Sequence, residues 1–72
     1  MKEIKATMAG TVFNILVGTN EEIISGQEVI ILESMKMEIP VESQADGKII
    51  EVKVNIGDFV NEGDVLLVLD TE

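Results

Sequence analysis

Apolar and polar residues alternate with a period of two through much of the chain, and the three-and-four spacing of an amphipathic helix is nowhere sustained. Phe13, Ile15 and Val17 alternate with Asn14, and Ile50, Val52 and Val54 alternate with Glu51 and Lys53, so each segment is expected to turn one face to a core and one to water. Eight short strands are predicted: Glu3 to Lys5, Thr11 to Val17, Glu22 to Ile23, Glu28 to Ser34, Met37 to Glu42, Lys48 to Val54, Phe59 to Val60 and Val65 to Asp70. Two of them, around Val29 to Leu32 and Val65 to Leu69, are wholly apolar, and alternation assigns them no inward face. Pro40 has no amide hydrogen, which places its strand at an edge or in a distorted pairing.

The pattern repeats. A shift equal to the separation of Gly10 and Gly47, 37 positions, lays one half of the chain over the other. Asn20-Glu21 then meets Gly57-Asp58, Ile23 meets Val60, Gly26-Gln27 meets Gly63-Asp64, and Val29-Ile30-Ile31-Leu32 meets Leu66-Leu67-Val68-Leu69. Gly57-Asp58 and Glu62-Gly63-Asp64 supply turn residues that accept positive φ or bond their own backbone, and Asn20 can take the same role in the first half. Neither half can bury its apolar face alone. The expected architecture is therefore all-β: a flattened barrel or sandwich of two four-stranded antiparallel sheets with pseudo-two-fold symmetry, in which each half completes the other's core.

Composition narrows the chemistry. At 72 residues the chain makes one small domain, and with no cysteine and no histidine neither a disulfide nor a Cys/His metal site can staple it. Ile and Val fill 19 positions against 5 for Leu and 3 for Ala, which favours strands. Fourteen acidic residues against five lysines give a formal net charge of -9, so nucleic acid and anionic membrane surfaces are not expected partners. The longest apolar run is Val65 to Leu69, and the first residues lack an apolar signal segment, so the expected location is cytoplasmic. A chain without thiol, imidazole or guanidinium, and too small to enclose a cleft, is not expected to be an enzyme. Asp58, Glu62 and Asp64 fail the calcium-loop spacing, and turn stabilisation explains them, so no metal site is expected.

One segment stands out from this background. Glu33-Ser34-Met35-Lys36-Met37-Glu38 falls between two predicted strands, which makes it a hairpin tip, yet it lacks the Asn-Gly or Asp-Gly of an inexpensive tight turn. A lone lysine in an acidic β-domain is ordinarily a solvated charge. Here a hairpin holds Lys36 away from the body with a soft thioether on either side that a partner protein could grip. Met35 and Met37 also admit a core role, because a continuous strand would put both on one face, opposite Lys36.

With Met35-Lys36-Met37 between half-repeats and Gly47 eleven residues further on, the sequence resembles the biotinyl/lipoyl attachment domain family along almost its whole length, residues 1–72. Its closest resemblance is to biotin carboxyl carrier domains, in particular the small stand-alone biotin/lipoyl attachment proteins. Ala6-Thr7-Met8-Ala9-Gly10-Thr11-Val12 resembles the family's opening motif, and Gly26-Gln27 resembles its Gly-Gln before the strand leading to the lysine. Thr7 and Gln44 stand where the family commonly has proline, Asn20 where it usually has glycine, and Ser34 where alanine is frequent. Lipoyl domains usually carry Asp-Lys-Ala at the tip, so Met35 and Met37 point to biotin.

The resemblance implies that biotin is carried covalently as an amide on Lys36, with Glu33, Ser34, Met35 and Met37 read by a biotin protein ligase. It also implies a non-catalytic carrier of a biotin-dependent carboxylase, shuttling carboxybiotin between a biotin carboxylase and a carboxyltransferase. Because an alkyl ammonium is almost wholly protonated at neutral pH, the ligase would have to promote loss of the proton. Two other readings remain open at this point: lipoate on Lys36, alone or as a second modification, and an unmodified β-hairpin that only mediates protein contacts.

Overall fold

The structure, a computed structural model, describes residues 1–71. Eight strands form, β1 (Lys2–Lys5), β2 (Gly10–Ile15), β3 (Glu22–Ile23), β4 (Glu28–Ser34), β5 (Met37–Glu42), β6 (Gly47–Val52), β7 (Phe59–Val60) and β8 (Val65–Asp70). They make two four-stranded sheets with the orders β1-β8-β6-β3 and β5-β4-β2-β7, and every pairing is antiparallel. β5 is an edge strand, so Pro40 costs the sheet no interior hydrogen bond, as its chemistry requires. The molecule measures 36 × 19 × 18 Å along its principal axes.

The sequence repeat is a backbone repeat. In the first half, the Ile49 N–H donates to the Glu21 carbonyl (2.9 Å) and the Asn20 N–H to the Ile49 carbonyl (2.7 Å); in the second, the Val12 N–H donates to Asp58 and the Gly57 N–H to Val12 (both 2.8 Å). The same correspondence relates Ser43 on Gln27 to Ala6 on Asp64, and Leu16 on Val29 to Lys53 on Leu66. Asn20 takes a φ of 74° where its counterpart Gly57 takes 97°, and Gly26 and Gly63 both take 89°. Even the turn side chains match: the Gly18 N–H donates to Glu21 Oε1 and the Asn55 N–H to Asp58 Oδ2. Asp58 and Asp64 are thereby occupied in turns, Asp64 Oδ2 accepting from the Asn61 N–H at 2.8 Å.

Each sheet draws two strands from each half, and that exchange builds the single core of Ile4, Val12, Ile23, Val29, Ile30, Leu32, Val41, Ile49, Val60, Leu66, Leu67 and Leu69 with a few smaller neighbours. At Gly10 a Cβ would lie 2.9 Å from the Glu33 carbonyl oxygen, and at Gly47 2.8 Å from that of Asp70, so only glycine lets the strands approach this closely.

Alternation misassigns part of the core face. Val12 pairs with Leu32 and Asn14 with Ile31, leaving Phe13 as the extra residue of a β-bulge; Ile50 is the extra residue at the equivalent place in β6. The bulges turn Phe13 and Ile50 outward, and Val12 and Ile49, expected to be solvent-side by parity, fill the core instead. Ile15, Val17, Val52 and Val54 lie on the inner side as expected. A second pair of bulges answers the apolar runs: Val29 is extra against β5 and Leu66 against β1, so Val29-Ile30 and Leu66-Leu67 both point inward in succession, each fully buried.

The strand limits also shift. β1 starts at Lys2, where it meets Leu69. β2 and β6 start at Gly10 and Gly47 and end at Ile15 and Val52, two residues before the predicted Val17 and Val54. Beyond those points the chain leaves one sheet to reach the other, as the Asn20 bond to Ile49 and the Gly57 bond to Val12 require.

Candidate functional site

β4 and β5 run in continuous register from Ile30 with Val41 to Ser34 with Met37, and the hairpin closes through Met35 and Lys36 alone. Both have positive φ, 52° and 64°, the backbone of a type I′ turn. Right-handed strand twist favours this turn, but it is ordinarily built from asparagine and glycine because a Cβ in the left-handed region costs about 1–2 kcal/mol per residue. Met35 and Lys36 are, with Asn20, the non-glycine residues at positive φ. The tip thus carries strain that its sequence does nothing to relieve.

The flanking charges add to that cost. Glu33 stands directly opposite Glu38, both exposed, and like charges paired across strands are destabilising. Met35 is 90% exposed and Met37 63%, which removes the core role that alternation left open for them. Both break the usual economy of an apolar side chain without filling any space inside.

Lys36 is exposed, and among the described residues it makes no ion pair. The structure therefore brings all five residues singled out in the sequence to one hairpin end: Glu33 and Ser34 closing β4, Met35 and Lys36 in the turn, Met37 opening β5. The two principal concavities lie elsewhere. A groove of about 330 Å³ opens between the edges of β1 and β5 near Ile4, Ala6, Val41 and Ala45, and the other is walled by Glu22, Asp46 and Lys48. Neither includes a residue from 33 to 38. The Lys36 amine is thus held on a strained, solvent-facing turn outside both concavities.

Two further residues join this end of the sheet that sequence pattern did not single out. Thr11 pairs with Glu33 on one side and Phe59 on the other, so a single cross-strand row runs Phe59, Thr11, Glu33, Glu38. The signal for them lay in the repeat itself, where Phe59 occupies the place held by Glu22.

Comparison with known proteins agrees with this geometry. The family model described as "Biotin-requiring enzyme" matches residues 2–69. The chain is 53% identical over 66 residues to the biotin/lipoyl attachment protein of Bacillus subtilis (strain 168), covering 92% of this chain and 90% of that one. It is 34% identical over 68 residues to the biotinylated protein TB7.3 homolog of Mycobacterium leprae, covering 94% of this chain and 96% of that one. Among solved structures, the urea carboxylase of Kluyveromyces lactis superposes with a TM-score of 0.89 at 26% identity over 96% of this chain, which corresponds to 6% of that much larger one. With its barrel-sandwich fold, its lysine-bearing hairpin and a family match spanning nearly its full length, the chain belongs to the biotin/lipoyl attachment domain family.

Proposed function

We propose that the domain is a biotin carrier in which Lys36 is the covalent attachment point. The observation that carries this is the tip itself: the lysine occupies one of two consecutive left-handed positions, exposed, between two exposed methionines outside the core. Stability would be better served by Asn-Gly, Asp-Gly or Gly-Gly at these two positions. Relatives named for biotin attachment and biotinylation, matching nearly end to end, support biotin as the group.

In this reading the chain contributes position and a nucleophile. The Lys36 Nζ loses a proton to the acylating enzyme, attacks the carboxyl carbon of activated biotin and forms an amide as the activating group departs. The rigid hairpin limits where that nitrogen can be, and Met35 and Met37 give the enzyme two deformable apolar handles around it. Acylation removes one of five lysine charges against fourteen acids, taking the formal net charge from -9 to -10. Bound biotin supplies a ring nitrogen that accepts and yields a carboxyl group. The β-sandwich acts as a stiff support that carries the group between a carboxylase and a carboxyltransferase.

Coexpression with a biotin protein ligase should add one biotinyl group to the intact mass, and Lys36→Arg should abolish the addition, because a guanidinium is neither nucleophilic nor equivalently shaped. Label on any other lysine would refute the assignment. The B. subtilis relative's name covers lipoyl as well as biotin attachment, which favours lipoate as the second reading; the mass added in cells holding both ligases separates the two.

A further inference from the structure

The internal repeat supplies a control for every surface position, since each outward residue of one sheet has a counterpart on the other with the same backbone. In the β1-β8-β6-β3 sheet, the outer row reads Glu22, Lys48, Asp70, alternating in sign from strand to strand. Its counterpart in the β5-β4-β2-β7 sheet reads Phe59, Thr11, Glu33. The same replacement recurs nearby: Ile56, on the turn whose next residue bonds Val12, corresponds to exposed Thr19, and Leu16 corresponds to Lys53. Phe13 and Phe59 are the only aromatic residues in the chain, and both lie outside the core on this one face, 47% and 66% exposed. A fold of this size with no aromatic in its core has left its two largest apolar side chains in water.

Charge is distributed with equal asymmetry. The strands of the phenylalanine-bearing sheet hold Glu28, Glu33, Glu38 and Glu42 and no lysine. Those of the opposite sheet hold Lys2, Lys5 and Lys48 among their four acids. The face is therefore aromatic on its β2-β7 side and acidic on its β4-β5 side.

Its position relative to the acceptor lysine is fixed by register. Phe59 lies in line with Glu33, two strand spacings away, and Lys36 is three residues beyond Glu33, so the two Cα atoms are on the order of 15 Å apart. A standard interface of about 800 Å² per partner covers both. On the basis of the function proposed above, we infer that the outer face of the β5-β4-β2-β7 sheet, with Phe59 and Phe13 on its β2-β7 side, is the surface by which the enzyme that acylates Lys36 holds the domain. That enzyme's complementary surface has apolar recesses for the two rings and lysine or arginine along its rim. Placing one amine at an activated acyl carbon requires the domain to be held in a fixed orientation, which a surface beside Lys36 can provide.

The test uses the full chain and purified biotin protein ligase with saturating biotin and ATP, varying the carrier concentration. Phe59→Glu installs the residue that the equivalent position already tolerates at Glu22, and Phe13→Ser is a second, independent probe; Ile50→Ser on the opposite sheet is the control. The expected result is a rise of tenfold or more in KM for Phe59→Glu, a smaller rise for Phe13→Ser, kcat within about twofold, and no change for Ile50→Ser. Raising the salt concentration should increase the wild-type KM, reading the basic rim. An unchanged KM for both phenylalanine variants, with the wild type fully biotinylated, overturns this inference and leaves the carrier function standing. A wild type that sediments as a dimer while Phe59→Glu sediments as a monomer assigns the face to a second copy and overturns it as well. A wild type that the ligase does not modify removes both.

Discussion

The strain at the hairpin tip can be weighed directly by removing it. Replacing Met35→Asn and Lys36→Gly supplies the residue pair that a type I′ turn prefers, at the two positions whose φ angles are 52° and 64°. Left-handed backbone costs a residue with a Cβ about 1–2 kcal/mol, so the two positions together hold about 2–4 kcal/mol. Glycine gives back about 0.5–1 kcal/mol through the entropy it adds to the unfolded chain, and asparagine keeps part of its own cost, which leaves a net gain of about 1–2 kcal/mol. No packing is lost in exchange, because Met35 is 90% exposed and Lys36 is exposed without an ion partner among the described residues. For a domain of this size that gain corresponds to a rise in Tm of about 5–15 °C. With no tryptophan or tyrosine to report by fluorescence, the assay is far-UV circular dichroism or calorimetry. Met35→Asn alone keeps the lysine and should deliver the smaller part of the shift. A double variant that melts at or below the wild-type temperature would refute the reasoning, since the tip would then carry no cost for function to justify.

Other expected outcomes follow from the duplicated backbone. Gly10→Ala and Gly47→Ala should destabilise by similar amounts, about 1–3 kcal/mol in chemical denaturation, because each forces a Cβ within 2.9 Å of a carbonyl; only Gly10→Ala, which displaces Glu33, should also slow modification of Lys36. Met35→Leu with Met37→Leu should leave Tm within a few degrees and reduce the rate of biotinylation, measured by mass, because both side chains are exposed. Asn20→Gly, at φ 74° where Gly57 is its equivalent, should change stability by less than about 1 kcal/mol, measured in the same denaturation. Ser43→Ala should also cost less than about 1.5 kcal/mol in that titration: its hydroxyl donates to the Ala45 carbonyl at 2.6 Å, yet the equivalent position is already alanine, Ala6.

What sequence alone revealed of the fold was what the repeat carries. All eight strands, the sheet count, the pairing of the halves and the role of Asn20 beside Gly57 follow from matching one half to the other. The bulges did not show. A bulge inserts one residue without changing composition, so a parity count through Phe13 or Ile50 assigns the wrong face to those two and to the residue before each. The runs Val29 to Leu32 and Val65 to Leu69 resisted assignment for the related reason that a bulge lets consecutive side chains share a face. At the tip, the sequence located Lys36 and its neighbours by their unusual composition. The left-handed backbone under Met35 and Lys36 was illegible, since nothing in two residues with strong preferences elsewhere announces it.

The pseudo-two-fold axis relates the hairpin tip to the place where β8 and β1 lie side by side, Leu69 against Lys2, so the folded backbone is a near-closed ring with two equivalent seams. At one seam the two strands are sewn together by Met35 and Lys36; at the other, Lys2 and Leu69 pair across strands far apart in sequence. The exposed Lys36 amine therefore stands at the seam that a two-residue turn closes. It also lies at the opposite pole from the Lys2 and Leu69 pairing, so a contact made along β1 and β8 would leave the hairpin tip pointing outward.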